Sequence, residues 1–157
     1  MIGVMADTHD HRTMTRRAVR IFSDRRVTLV IHAGDFVAPF TAWDLADLGC
    51  PLVGVFGNND GDRAALQKAF AGFATLHDPP HRLSVAGRRV VVAHERDAAE
   101  AASEGADVLI YGHSHRAEVI EESPLRLNPG ETCGWVTGRS SVALLDPGSL
   151  TVAIVDL

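Results

Sequence analysis

At 157 residues the chain has the length of one domain, and 46% hydrophobic with 22% charged residues is the composition of a core-forming globular protein rather than a disordered one. Fifteen basic against 20 acidic side chains leave a formal charge of −5, the opposite of what a nucleic-acid coat carries. Two cysteines, Cys50 and Cys133, are too few for a disulfide framework or a thiolate zinc site, and no segment approaches the ~20 apolar residues of a membrane span.

Ile2 to Met5 is apolar, with no basic stretch before it and no cleavage pattern after it, so it reads as a buried strand and not as a leader. Thr13 to Asp24 carries Met14, Ala18, Ile21 and Phe22 at the spacing of an amphipathic helix. Leu29 to Ile31 is a strand, Thr41 to Leu48 a short helix, Leu52 to Phe56 a strand and Arg63 to Phe70 a helix. Val90 to Ala93 and Val108 to Tyr111 are further strands, with a helix over Asp97 to Glu104 between them. This alternation predicts an α/β fold with parallel pairing in its first half. Beyond Tyr111, the segments Ala117 to Glu121, Leu125 to Leu127, Ser141 to Asp146 and Thr151 to Asp156 are strands joined by Pro and Gly turns. They predict a second, largely antiparallel sheet packed on the first, with Asp78-Pro79-Pro80 as the boundary between halves. We expect one domain over residues 1–157, soluble, not secreted, and cytoplasmic.

Each of five predicted strands runs into metal-competent side chains: Asp7-Thr8-His9, Gly34-Asp35, Gly57-Asn58-Asn59-Asp60, His94, and Gly112-His113-Ser114-His115. Ligand sites of open α/β sheets lie at the carboxyl ends of strands, so the five clusters are expected to converge on one sheet edge. Mixed carboxylate, carboxamide and imidazole donors suit Mn, Fe, Zn or Ni, whereas an all-oxygen set suits Mg or Ca. The candidates are Asp7, His9, Asp35, Asn58, His94, His113 and His115, more than one tetrahedral ion takes. Two ions about 3.5 to 4 Å apart, bridged by a carboxylate, use them all. His11, His32, His77 and His81 fall outside the pattern and are read as structural or surface residues. Asp10 and His11 belong either to the site mouth or to a solvated loop.

The ordered set Asp7-x-His9, Gly34-Asp35, Gly57-Asn58-x-Asp60, His94 and Gly112-His113-x-His115 resembles the calcineurin-like metallophosphoesterases, in particular their small, capless bacterial and archaeal phosphodiesterases. The likeness extends to Ile31-His32-Ala33-Gly34-Asp35-Phe36-Val37 and to Leu127-Asn128-Pro129-Gly130-Glu131. It implies a four-layer αββα sandwich of two mixed sheets and a dinuclear centre. By motif, Asp7, His9, Asp35 and His115 would hold one metal, and Asp35, Asn58, His94 and His113 the other, with Asp35 bridging. The resemblance implies a hydroxide between the ions as nucleophile on phosphorus, with Asp35, Asn58 and His94 as candidate catalytic residues and manganese ahead of nickel, iron or zinc.

Three positions depart from the pattern. Asn59 stands where the wider superfamily has a His that protonates the leaving group, which favours substrates with good leaving groups. His94-Glu95-Arg96 replaces the usual His-Gly-His, with Arg96 read as a surface residue in preference to a phosphate contact, and Ala6 replaces a Ser. The expected activity is metal-dependent hydrolysis of a small phosphodiester or nucleotide. The alternatives are a phosphomonoesterase or nuclease using the same site, and a scaffold of the same fold, as in the retromer coat, where metal ligands are eroded. No membrane or stable nucleic-acid partner is expected, and self-association through Phe36, Phe40 and Trp43 stands beside their burial under a neighbouring helix. Glu131 to Ser140, with Cys133 and Trp135, receives no role.

Overall fold

The computed structural model describes all 157 residues. The first strand, β1 (Ile2–Met5), sits inside a six-stranded sheet. On one side it pairs in parallel with β2 (Leu29–His32), then β3 (Leu52–Val55) and β4 (Ala74–His77) follow in the same sense. The helices α1 (Arg12–Asp24), α2 (Thr41–Leu45) and α3 (Arg63–Phe70) form the crossovers between them, with a 3₁₀ turn over Ala46–Leu48 closing α2. The chain then forms β5 (His81–Val85), β6 (Arg88–Val92), α4 (Arg96–Ala101), β7 (Val108–Ile110), β8 (Ala117–Ile120) and β9 (Leu125–Pro129). These five strands make a second sheet in the order β5-β6-β7-β9-β8. Finally β10 (Ser141–Leu145) and β11 (Val152–Asp156) return to the first sheet, where β10 lies antiparallel to β1 with Ile2 opposite Leu145.

Three apolar layers follow from the two-residue period of the strands. Ile2, Val4, Ile31, Val55, Val90, Val92, Val108, Ile110 and Leu127 fill the space between the sheets. Met5, Val30 and Leu52 point the other way, onto Ala18, Phe22, Leu45 and Leu66 of the three helices and the neighbouring Phe36. The far face of the second sheet, Val91 and Leu109 with Tyr111, is covered by Ala99 of α4. Each large side chain taken fully out of water in these layers contributes roughly 1.5–3 kcal/mol. The result is the helix–sheet–sheet–helix sandwich.

The halves expected from sequence are redrawn in two respects. The Asp78-Pro79-Pro80 turn does separate the sheets, since β4 belongs to one and β5 to the other. The second sheet, however, is mixed, with β6, β7 and β9 parallel, and the last two strands belong to the first sheet. The ladder partner of a strand is chosen by long-range pairing, which local hydrophobicity does not encode. The strands β4 and β5 were not foreseen, because Ala74-Thr75-Leu76-His77 and His81-Arg82-Leu83-Ser84-Val85 are edge strands of alternating or partial burial, with no continuous apolar run to mark them. In α1 the buried stripe is Thr15, Ala18, Val19 and Phe22, leaving Met14 and Ile21 half-buried.

Candidate functional site

The five clusters do converge, but on the ends of strands from both sheets: β1, β2 and β3 of one, β6 and β7 of the other. The chain leaves these strands abruptly. Asp7, His9, Asp35, His113 and His115 all have positive φ, between 39° and 66°. Non-glycine residues in this region are strained by about 1 kcal/mol or more, and such strain concentrates at functional sites. Gly34 and Gly57 make the approach possible. A Cβ on Gly34 would lie 2.7 Å from His94 Nδ1, and one on Gly57 would collide with the Asp35 carboxylate and lie 2.6 Å from its backbone nitrogen.

The seven side chains form two adjoining groups. In the first, Asp7 Oδ1 lies 3.8 Å from His9 Nε2 and 3.6 Å from His115 Nε2, and His9 Nε2 lies 3.4 Å from Asp35 Oδ2. In the second, His94 Nε2 lies 3.4 Å from the same Asp35 Oδ2, 2.9 Å from Asn58 Oδ1 and 3.3 Å from His113 Nδ1, which is 3.0 Å from Asn58 Oδ1. Asp35 Oδ2 is common to both. Asp7, Asp35 and His94 are buried, while Asn58 and His113 are exposed, so the cluster has a closed floor and an open mouth.

Hydrogen bonding on the outer side of the rings settles which nitrogens face inward. His94 Nδ1 donates to the Ala33 carbonyl at 2.8 Å, and His115 Nδ1 donates to Glu131 Oε2 at 2.8 Å. In the neutral rings, Nε2 is therefore a bare lone pair. His94 Nε2 then faces the oxygens of Asn58 and Asp35, and His115 Nε2 faces Asp7, all of them acceptors. Asp7 Oδ1 and His9 Nε2 are buried with no hydrogen-bond partner at all. Asn59 and the His113 backbone N–H supply donors to Asp35 and to Asp7 Oδ2, but the inward-facing acceptors outnumber their donors, which is unfavourable as it stands and fits divalent cations. Both Asp7-His9-His115 and Asp7-Asp35-His94 bring their donor atoms within the spread of one ion's coordination shell.

Electrostatics follow the same geometry. Burial opposes ionisation of Asp35, but His94 and the backbone and side-chain amides of Asn59 outweigh it and hold its carboxyl below the usual range. The carboxylates of Asp7 and Asp35 raise the His9 pKa against the cost of burial. For His94, burial opposes charging and the Asp35 carboxylate prevails, so its pKa also rises.

The departures from the family pattern acquire local explanations. Glu95 is exposed, with an extended backbone (φ −92°, ψ 141°) that any residue adopts, and His94 keeps its place. Arg96 is occupied elsewhere, bonded to Glu100 at 2.9 Å and Glu118 at 3.1 Å. Asn59 Nδ2 donates to Asp35 Oδ2 at 2.7 Å. Of the residues left open, Asp10 Oδ1 accepts from Ala38 N and Thr41 Oγ1, and His11 caps α1 by accepting from Met14 N. His32 is buried, accepts from Gly34 N, stacks on Phe36 and contacts Thr8 Oγ1, as the structural reading expects. Phe36 is buried, whereas Trp43 is 70% exposed.

Two supporting carboxylates were not given roles from sequence. Asp60 accepts from the backbone N–H of Asp35, Val37 and Gly57, tying two clusters together. Glu131 is fully buried and accepts from His115 Nδ1, Cys133 Sγ, Val136 N, Thr137 N and Thr137 Oγ1. Burial opposes its ionisation, yet these donors prevail and bring its pKa down to about 2. Burial, with Glu131 beside it, pushes the Cys133 thiol up to about 12, so it stays protonated as a donor. Asn128 Nδ2 donates to Gly112 O and Ser114 Oγ, fixing the loop of His113 and His115. The available signal was the polar Asn128-Pro129-Gly130-Glu131 run directly after an apolar strand.

Known proteins resemble this chain in sequence and in fold. A phosphodiesterase of Methanocaldococcus jannaschii is 36% identical over 153 residues, covering 92% of each chain. A solved archaeal phosphodiesterase superposes with a TM-score of 0.92 at 33% identity, covering 99% of both chains. A phosphoesterase from E. coli shares the fold at a TM-score of 0.73 and 17% identity, covering 98% of this chain and 97% of its own. Residues 1–149 match the profile of the calcineurin-like phosphoesterase superfamily domain, and the chain belongs to that superfamily.

Proposed function

We propose that the chain is a metal-dependent phosphodiesterase with a dinuclear centre. The observation that carries this reading is the pair of donor groups sharing Asp35 Oδ2, with lone pairs turned inward and Asp7 Oδ1 and His9 Nε2 left without partners. Asp7, His9, Asp35 and His115 would hold one ion; Asp35, Asn58, His94 and His113 would hold the other. When bound, the two cations supply an activated water between them as nucleophile and positive charge against the phosphoryl oxygens. Manganese is the first ion to test, since the mixed nitrogen and oxygen donors suit borderline divalent metals.

The residues themselves contribute positioning. Asp35 stays ionised through its contacts with His94 and Asn59, which suits a carboxylate shared by two cations. Ala33 and Glu131 lock the His94 and His115 rings, so neither reorients when substrate arrives. Asn59 offers an amide hydrogen bond but no transferable proton, which makes esters with good leaving groups the preferred substrates. The named activities of the archaeal relatives support a diester over a monoester.

Metal-stripped protein, inactive by itself, is expected to regain hydrolysis of bis(4-nitrophenyl) phosphate on addition of Mn. Asp35→Asn should abolish the regain, and 4-nitrophenyl phosphate should be the poorer substrate. Reconstituted wild type that hydrolyses no diester would overturn the reading.

A further inference from the structure

Trp135 belongs to none of the three apolar layers and is 63% exposed. It is not adrift on a free loop. The residues on its C-terminal side, Val136 and Thr137, donate their backbone N–H groups to the buried carboxylate of Glu131, at 3.1 and 2.6 Å. On its other side, Cys133 N donates to Asp7 O at 3.1 Å. The loop is thus pinned to a candidate metal ligand at one end, and at the other to the carboxylate that orients His115.

That anchoring brings the indole to the site mouth. Its ring centre lies 6.3 Å from the His9 ring and 5.5 Å from the His11 ring, tilted at 35° and 40°. His11 is itself held by capping α1. Trp43 is more exposed still, at 70%, but it is Trp135 whose ring meets His9 and His11. An exposed indole costs solvation and a rigid loop costs entropy, and a folded core gains from neither. A ligand with a planar ring gains from both, because stacking on a preorganised aromatic needs little further ordering.

We propose that Trp135 is a stacking platform for an aromatic ring carried on the substrate phosphate. The proposal rests on the phosphodiesterase reading and narrows its substrate class to aryl or nucleobase-bearing esters. Alkyl and plain sugar esters gain nothing from the platform. Trp135 acts on binding, so its loss raises KM and leaves kcat nearly unchanged.

Two matched pairs of inhibitors test it in the Mn-loaded enzyme with bis(4-nitrophenyl) phosphate as substrate. Phenyl against ethyl phosphate reads a ring directly on the phosphate oxygen; adenosine 5′-monophosphate against ribose 5-phosphate reads a ring one sugar away. In wild type the aromatic member of at least one pair should bind about tenfold tighter, in line with stacking on an aromatic side chain. Trp135→Ala should erase that preference, and Trp135→Phe should keep most of it. A preference unchanged in Trp135→Ala, or absent from an active wild type, overturns the proposal while leaving the phosphodiesterase reading intact. A direct readout does not depend on turnover. In a Trp43→Phe background the only indole is Trp135, and the aromatic inhibitor should quench its fluorescence saturably while its non-aromatic counterpart should not. Absence of quenching by both aromatic compounds also overturns it.

Discussion

Replacing Glu131 with Gln changes one oxygen into an NH₂ group and nothing else in size. The wild-type carboxylate has no spare acceptor capacity: Oε2 takes His115 Nδ1 and Cys133 Sγ, Oε1 takes Thr137 N and Thr137 Oγ1, and Val136 N is shared. If the amide nitrogen faces His115, two donors meet a donor, and the imidazole keeps its inner lone pair only by leaving Nδ1–H unmatched. If it faces Thr137, a backbone N–H is stranded instead. A hydrogen bond to a charged acceptor contributes about 1.5–3 kcal/mol, and an orphaned buried donor costs a similar amount. Either orientation therefore destabilises the fold by about 3 kcal/mol. With an unfolding entropy of about 2.1 cal/mol/K per residue, a chain of this length loses about 9 °C in Tm. Calorimetry at pH 7 in the presence of a chelator measures this without metal binding. Mn affinity should fall as well, by about 10- to 100-fold, through the freed His115. A Glu131→Gln protein that melts within about 2 °C of wild type would refute the clamp.

Gly57→Ala should abolish activity, because its methyl group collides with the Asp35 carboxylate; circular dichroism separates this from global unfolding, and a variant with near-wild-type turnover would contradict the close approach. His32 has its pKa brought down to about 3 by burial, from an ordinary 6.5, so the unfolded chain binds a proton there that the folded chain refuses. Stability from this group is complete above about pH 6.5 and is lost as pH falls toward 3, by at most about 1.4 kcal/mol per pH unit. His9 and His94 shift upward and act in the opposite sense, so the informative quantity is the difference between wild type and His32→Gln in denaturant titrations at several pH values, which should narrow on acidification. Arg96→Ala should leave kcat/KM for bis(4-nitrophenyl) phosphate within about twofold, since its guanidinium serves Glu100 and Glu118; a drop of about tenfold (~1.4 kcal/mol) would mean that it reaches substrate.

Much of the site was legible because it is written locally. β1, β2, β3, β6 and β7 each run within a few residues into metal-competent side chains, such as Gly34-Asp35 after β2 and His113-x-His115 after β7. The same holds for α3, which the structure places at Arg63–Phe70, the bounds expected from sequence. Sheet membership was not local. Ser141 to Asp146 reads as a strand from sequence and was expected in the second sheet, but pairing of β10 with β1, more than a hundred residues away, puts it in the first. The supporting groups were hidden for the same reason: Asp60 acts on the backbone of Asp35, and Glu131 acts on a histidine from another loop. Residue chemistry along the chain is enough to name the metal-competent side chains. Which lone pairs face inward, and that Trp135 stands beside them, are set by hydrogen bonds and packing between segments distant in the chain, and those exist only once it has folded.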